Sequence, residues 1–80
     1  MTPDPAAVER YRALIAGQRE EHRYAYVVGL LTSTVRGAAR ALSAGDRGTV
    51  RWEIRAGLAI AAAHDTMSET GVGEPAGGVR

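Results

Sequence analysis

The chain contains no cysteine, lysine, asparagine or phenylalanine. Without cysteine there is no disulfide framework, no thiolate zinc site and no thiol nucleophile. Without lysine there is no phosphate-binding loop of the GxxxxGK[ST] type. Aromatic residues are scarce, with Tyr11, Tyr24, Tyr26 and Trp52 making up the full set. Core volume must therefore come from Val, Leu, Ile and Ala. Long apolar runs are also missing. The run at 27–31 is soon followed by Arg36 and Arg40, and Arg55 interrupts the run at 54–63. Neither reaches the roughly 18–20 apolar residues that span a bilayer, so no membrane association is expected. The opening Met1-Thr2-Pro3-Asp4-Pro5 lacks the basic start of a secretory signal, and a cytoplasmic location is the expectation.

What is present is alanine, glycine and arginine, at 15, 10 and 10 of 80 residues. Alanine favours helices, and its small side chain lets them approach closely. Shortage of Lys and Asn beside this excess matches the codon usage of a GC-rich genome, so arginine abundance is not by itself a sign of guanidinium chemistry. Net charge is only +1, but it is unevenly spread. Residues 36–55 carry five arginines against Asp46 and Glu53, whereas residues 56–80 carry Arg80 against Asp65, Glu69 and Glu74. The length suits one small domain. At this size one core rarely supplies more than about 3–5 kcal/mol. Association with another chain would supply the missing buried area.

Helical punctuation and periodicity give an all-α fold. Asp4 is an N-cap candidate and Pro5 suits the first helical position. At 100° per residue, Val8, Tyr11, Leu14, Ile15, Gln18, His22 and Tyr26 form one stripe. Tyr24, Val27, Val28, Leu31, Val35, Ala38, Ala39 and Leu42 form a second. On one unbroken helix the two would be rotated by about 160°. The change falls in Arg19–Arg23, where there is neither Pro nor Gly. Two arrangements satisfy this pattern: a break into two helices facing one core, or a single helix of roughly 60 Å using opposite faces. Ser43-Ala44-Gly45-Asp46 is the clearest punctuation. Gly45 fits the left-handed position after a helix and Asp46 the cap of the next. The expectation is a helical hairpin, about 24–44 and 46–67, preceded by an N-terminal helix either continuous with it or separate. Residues 1–67 form one small helical domain, and 68–80, rich in Gly with Glu and Pro, a flexible tail. A helical-bundle oligomer is the expected assembly.

The last helix carries the most information. Arg47, Arg51 and Arg55 make one stripe, while Val50, Trp52, Ile54, Ala56, Ala59, Ile60, Ala61, Ala63 and Met67 spread over most of the rest. That sector is wider than a one-sided surface helix needs, so the helix should pack on two sides or more. Gly57 among small residues is a candidate close crossing. Trp is enriched at binding hot spots, which singles out Trp52 as a partner anchor together with Ile60, Tyr24 and Tyr26.

Arg36, Arg40, Arg47, Arg51 and Arg55 flank the one tight turn and form a candidate basic patch. Such a patch suits phosphates or an acidic protein surface. A helix-turn-helix register with Gly45 in the turn places Ala41 correctly but puts Arg40, Asp46 and Arg51 where apolar residues belong. His22, His64 and Glu53 are the candidates for acid–base or metal chemistry, yet no HExxH, ExxH or His-x3-His spacing occurs. Thr32, Ser33 and Thr34 have no nearby base and no Gly-x-Ser-x-Gly elbow, so they are expected to bond back to helix carbonyls. No catalytic residue, cofactor or metal is assigned. The expected function is a non-enzymatic protein–protein interaction module, an adaptor or regulator that self-associates or docks on a larger protein. The alternative is a small nucleic-acid-binding regulator using the arginine patch.

Overall fold

Where the two apolar stripes meet, the chain breaks. The structure, a computed structural model, describes residues 2–71. It contains three α-helices: α1, Pro5–Ala16; α2, Arg23–Ser43; and α3, Arg47–Gly71. A single 3-10 turn, Glu20–His22, lies between α1 and α2. Of the two arrangements the sequence allows, the chain adopts separate helices.

The break needs no Pro. Helix α1 ends at Gly17, and Arg19 then takes an extended conformation, φ −62° and ψ 144°, where the backbone changes direction. The Arg23 side chain then closes the gap. Its Nε donates to the Gln18 carbonyl at 3.0 Å and its Nη2 to the Ala16 carbonyl at 3.1 Å. A helix end leaves carbonyls without intrahelical partners, and a cation there also meets the negative end of the helix dipole. Pro5 stands at the start of α1 as expected. Asp4 occupies the N-cap position, but its side chain makes no capping hydrogen bond.

The connection between α2 and α3 follows the sequence closely. Gly45 has φ +74°, the left-handed region that favours glycine. The Gly45 N–H donates to the Leu42 carbonyl at 3.1 Å and the Asp46 N–H to the Ala41 carbonyl at 2.9 Å. This pair of bonds is the Schellman arrangement at a helix end. Asp46 also starts the next helix. Its Oδ1 accepts from the Thr49 N–H at 3.1 Å, and its Oδ2 from the Thr49 hydroxyl at 2.6 Å.

The resulting turn folds α3 back antiparallel to α2. Glu53 lies over Gly37, Thr34 faces Gly57, and the Tyr24 and His64 rings meet edge to face at 6.5 Å. Gly57 is thus a close crossing, as its surroundings predicted. Along the other side of α3, Asp4 and Tyr11 neighbour Trp52 and Ala56, while Ile15 joins Ile60 and Ala63. Helix α1 therefore runs parallel to α3. It scarcely touches α2, so α3 is the central element.

The core is thin. Ile15, Val27, Ile60 and Ala63 are its buried centre, with Val8, Tyr11, Tyr26, Leu30, Leu31 and Met67 packed around them. Ala59 and Ala41 are buried as well. The expected tail does not begin after Met67, because α3 continues to Gly71. Nothing in Ser68-Glu69-Thr70 breaks a helix, and the first Gly of the tail comes only at 71. The remainder of the expected tail, 72–80, lies outside the described residues. Among the described residues, no helix is long and apolar enough to cross a membrane.

Two measurements test this account. Replacing Ile60, which is 1% exposed, by Ala should cost about 2–5 kcal/mol. That matches the whole stability expected of such a core, so most helical circular dichroism should be lost at room temperature. A melting curve close to that of the wild type would show that the core is not centred there. Asp46 has its carboxyl held below the ordinary carboxylate value, first by the Thr49 hydroxyl and then by the Thr49 N–H. A group with a depressed folded-state value stabilises above its unfolded value and loses that contribution as pH falls through its folded value. Asp46→Ala should lower the melting temperature by several degrees at neutral pH. The difference should shrink as pH falls through the acidic range, and a difference independent of pH would rule out this role for the carboxylate.

Candidate docking face

Helix α1 covers one side of the hairpin and leaves the other side open. The consequence is clearest on α2. Its buried flank is Val27, Gly37 and Ala41. The neighbouring flank carries the larger side chains and faces outward, with Val35 67% and Leu42 72% exposed. On α3 the same side presents Ile54 and Leu58, 47% and 37% exposed. The most apolar stripe read from the sequence of α2 is thus only partly used by the fold.

These residues form one continuous surface. Near the turn, Leu42, Val50 and Ile54 line a shallow depression bordered by Arg47 and Arg51. Further along the hairpin, Leu31, Val35, Ala38, Ile54 and Leu58 line a second, mostly apolar groove. Ile54 belongs to both and joins them. Exposed Tyr24 lies further along the hairpin, with its ring against His64.

The groove floor depends on Gly37. A Cβ there would fall onto the Glu53 carboxylate, while one on Gly57 would lie 3.2 Å from the Thr34 hydroxyl. Absence of a side chain at 37 lets half-buried Glu53 lie across α2 instead of projecting into solvent. Thr34 and Thr32 donate their hydroxyls to the carbonyls of Leu31 and Val28, each at 2.8 Å. They act as helix-bound polar groups, as expected.

The partner anchors expected from the sequence separate into three settings. Tyr24 is exposed beside the hairpin face. Trp52 is 67% exposed but stands on the α1 side of α3, in a depression with Asp4, Arg10, Tyr11 and Arg55. Ile60 is a correction. It lies at the centre of the core because it occupies the line of α3 that meets both α1 and α2, so no docking surface presents it. Tyr26 is half-buried and packs on that core. Val35, Leu42, Ile54 and Leu58 were not singled out as anchors. Their signal was the offset between stripes: a second stripe too long to be covered by a helix of only 12 residues, α1.

The five arginines around the turn line three depressions. Arg36 and Arg40 line a depression with Gly29, Thr32 and Ser33 on the outer side of α2. Arg47 and Arg51 border the hairpin face. Arg55 stands near Trp52 and Arg10. Four-residue spacing aligns Arg36 with Arg40 along α2, and Arg47, Arg51 and Arg55 along α3. The ion pairs among the described residues, Arg12–Glu9 and Arg19–Glu21, involve none of the five.

His22, His64 and Glu53 are not brought together. His22 is exposed in the 3-10 turn, and His64 lies against Tyr24. Glu53 is eleven residues from His64 along α3, about 16 Å at 1.5 Å per residue. Among the described residues, no three of His, Cys, Asp and Glu are grouped closely enough to hold a metal ion. Comparison with known protein families, curated proteins and solved structures finds no match to the chain.

A double-mutant cycle checks the Gly37–Glu53 contact. In a Glu53→Ala background, Gly37→Ala should stabilise α2 by up to about 1 kcal/mol through helix propensity. With Glu53 present the carboxylate must move, and the gain should shrink by at least ~0.5 kcal/mol. Equal effects in the two backgrounds would mean that the two residues do not touch.

Proposed function

We propose that the protein is a non-enzymatic interaction module that works through the uncovered face of its α2–α3 hairpin, in the cytoplasmic setting expected from the sequence. The observation that carries this reading is the exposure of Val35, Leu42, Ile54 and Leu58 on one side of two antiparallel helices. Completing the burial of each such side chain stabilises by about 1 kcal/mol, roughly half the value for full burial. In a protein with so little core, that contribution is large. Contiguous apolar surface of this kind marks interaction sites on soluble proteins. Arg47 and Arg51 at its border supply the polar rim such interfaces have.

The nucleic-acid reading has less behind it. Its five arginines line three separate depressions, so one strand of phosphates would not meet them all. The enzymatic reading has no grouping of His22, His64 and Glu53 to work with.

Gel filtration of extract from cells that express the full chain tests the proposal. The chain should run in a species larger than its 8.4 kDa mass. Leu42→Asp combined with Ile54→Asp should return it to the size of the free chain, with helix content unchanged. A wild-type chain that elutes as free 8.4 kDa protein overturns the reading.

A further inference from the structure

We infer that the occupant of the hairpin face is a second copy of this chain, packed antiparallel across a two-fold axis so that the two hairpins form a four-helix core. The inference rests on reading that face as an interaction surface. It goes further in naming the partner and its orientation.

A two-fold interface is self-complementary, so where one residue meets a second residue of the other copy, the reverse pair meets as well. The pattern on the face meets that requirement on both helices. On α2, Val28, Leu31, Ala38 and Leu42 stand at −7, −4, +3 and +7 from Val35. Reversing the helix direction about Val35 places apolar residues on apolar residues to within one position, about 1.5 Å. On α3, Ile54 and Leu58 are symmetric about Ala56, and so are Arg47 and Asp65. Arg47 and Asp65 are eighteen residues apart, five full turns, and therefore lie on the same line of the helix.

The two centres of symmetry are at the same height. Gly37 faces Glu53 and Thr34 faces Gly57, which places Val35 level with Ala56. One axis, lying across the helices in the plane of the interface, then serves both. Val35 meets Val35 of the second copy, Ile54 meets its Leu58, and Arg47 meets its Asp65. Arg47 and Asp65 are exposed, and neither is in an ion pair among the described residues. An axis along the helices would instead set Arg47 opposite Ser43 and Ala44, where there is no acid.

The size also fits. Helix α2 has 21 residues, about 31 Å, and packed helices lie about 8–10 Å apart. The face is then roughly 30 by 20 Å. That is of the order of the ~800 Å² per partner of a stable interface.

The absence of cysteine makes the geometry directly measurable in the full chain. Sedimentation equilibrium of the purified protein at micromolar concentration should give twice the 8.4 kDa chain mass. On oxidation, Val35→Cys should link to its own copy and Arg40→Cys, on the outer side of α2, should not. A mixture of Arg47→Cys and Asp65→Cys chains should link to each other. Arg47→Asp alone, or Asp65→Arg alone, should weaken the dimer about tenfold, and the two together should restore it, with circular dichroism unchanged throughout. A purified chain that is monomeric, while the extract still shows the larger species, overturns self-pairing and leaves the interaction module standing. A dimer in which the mixed pair does not link and the double charge exchange does not restore affinity overturns the antiparallel arrangement.

Discussion

Three residues between α2 and α3 set the geometry on which everything else depends. Gly45 takes a left-handed conformation, and the two bonds from Gly45 and Asp46 end α2. Asp46 then begins α3 through Thr49. So short a connection leaves little freedom in the relative register of the helices. It places Glu53 over Gly37 and Thr34 against Gly57, and it sets Ile60 and Val27 in one cluster. The uncovered face exists because the same register aligns Val35 and Leu42 beside Ile54.

The second constraint is one of supply. Helix α1 has 12 residues, whereas α2 and α3 have 21 and 25. A helix with apolar residues around most of its circumference requires cover on more than one side. Helix α1 covers α3 along one side, α2 covers another, and the outer flank of the hairpin is left. Arg23 matters here because its bonds to the Gln18 and Ala16 carbonyls hold the break between α1 and α2. The break lets Ile15 turn toward Ile60 instead of continuing outward on a single long helix.

Charge is organised by helix geometry rather than by sequence density. Five arginines within twenty residues looked like one patch. The hairpin distributes them over the outer side of α2, the rim of the docking face and the groove near Trp52. Only Arg47 and Arg51 border the apolar surface. Trp52, the residue with the strongest compositional claim to be an anchor, faces the α1 side. On a helix, two residues apart means a turn of about 200°, so Trp52 and Ile54 point to opposite sides.

The sequence by itself determined what local chemistry controls. The helical class, the punctuation at Gly45-Asp46, the start at Pro5 and the bonding of Thr32 and Thr34 depend on residues within a few positions of each other. The offset of the two stripes marked Arg19–Arg23 as the place where the chain either breaks or turns a different face outward. Tertiary structure alone decided which side of each stripe is covered. Tyr24 and Ile60 read equally well as anchors from periodicity, yet one is exposed and the other lies at the core centre. Period assigns a residue to a face, but burial depends on how long the opposing helix is and where it stops. The break before α2 had the same character: no Pro marks it, Gly17 at the end of α1 keeps an ordinary right-handed conformation, and the bonds that hold the break come from Arg23, reaching back across the turn.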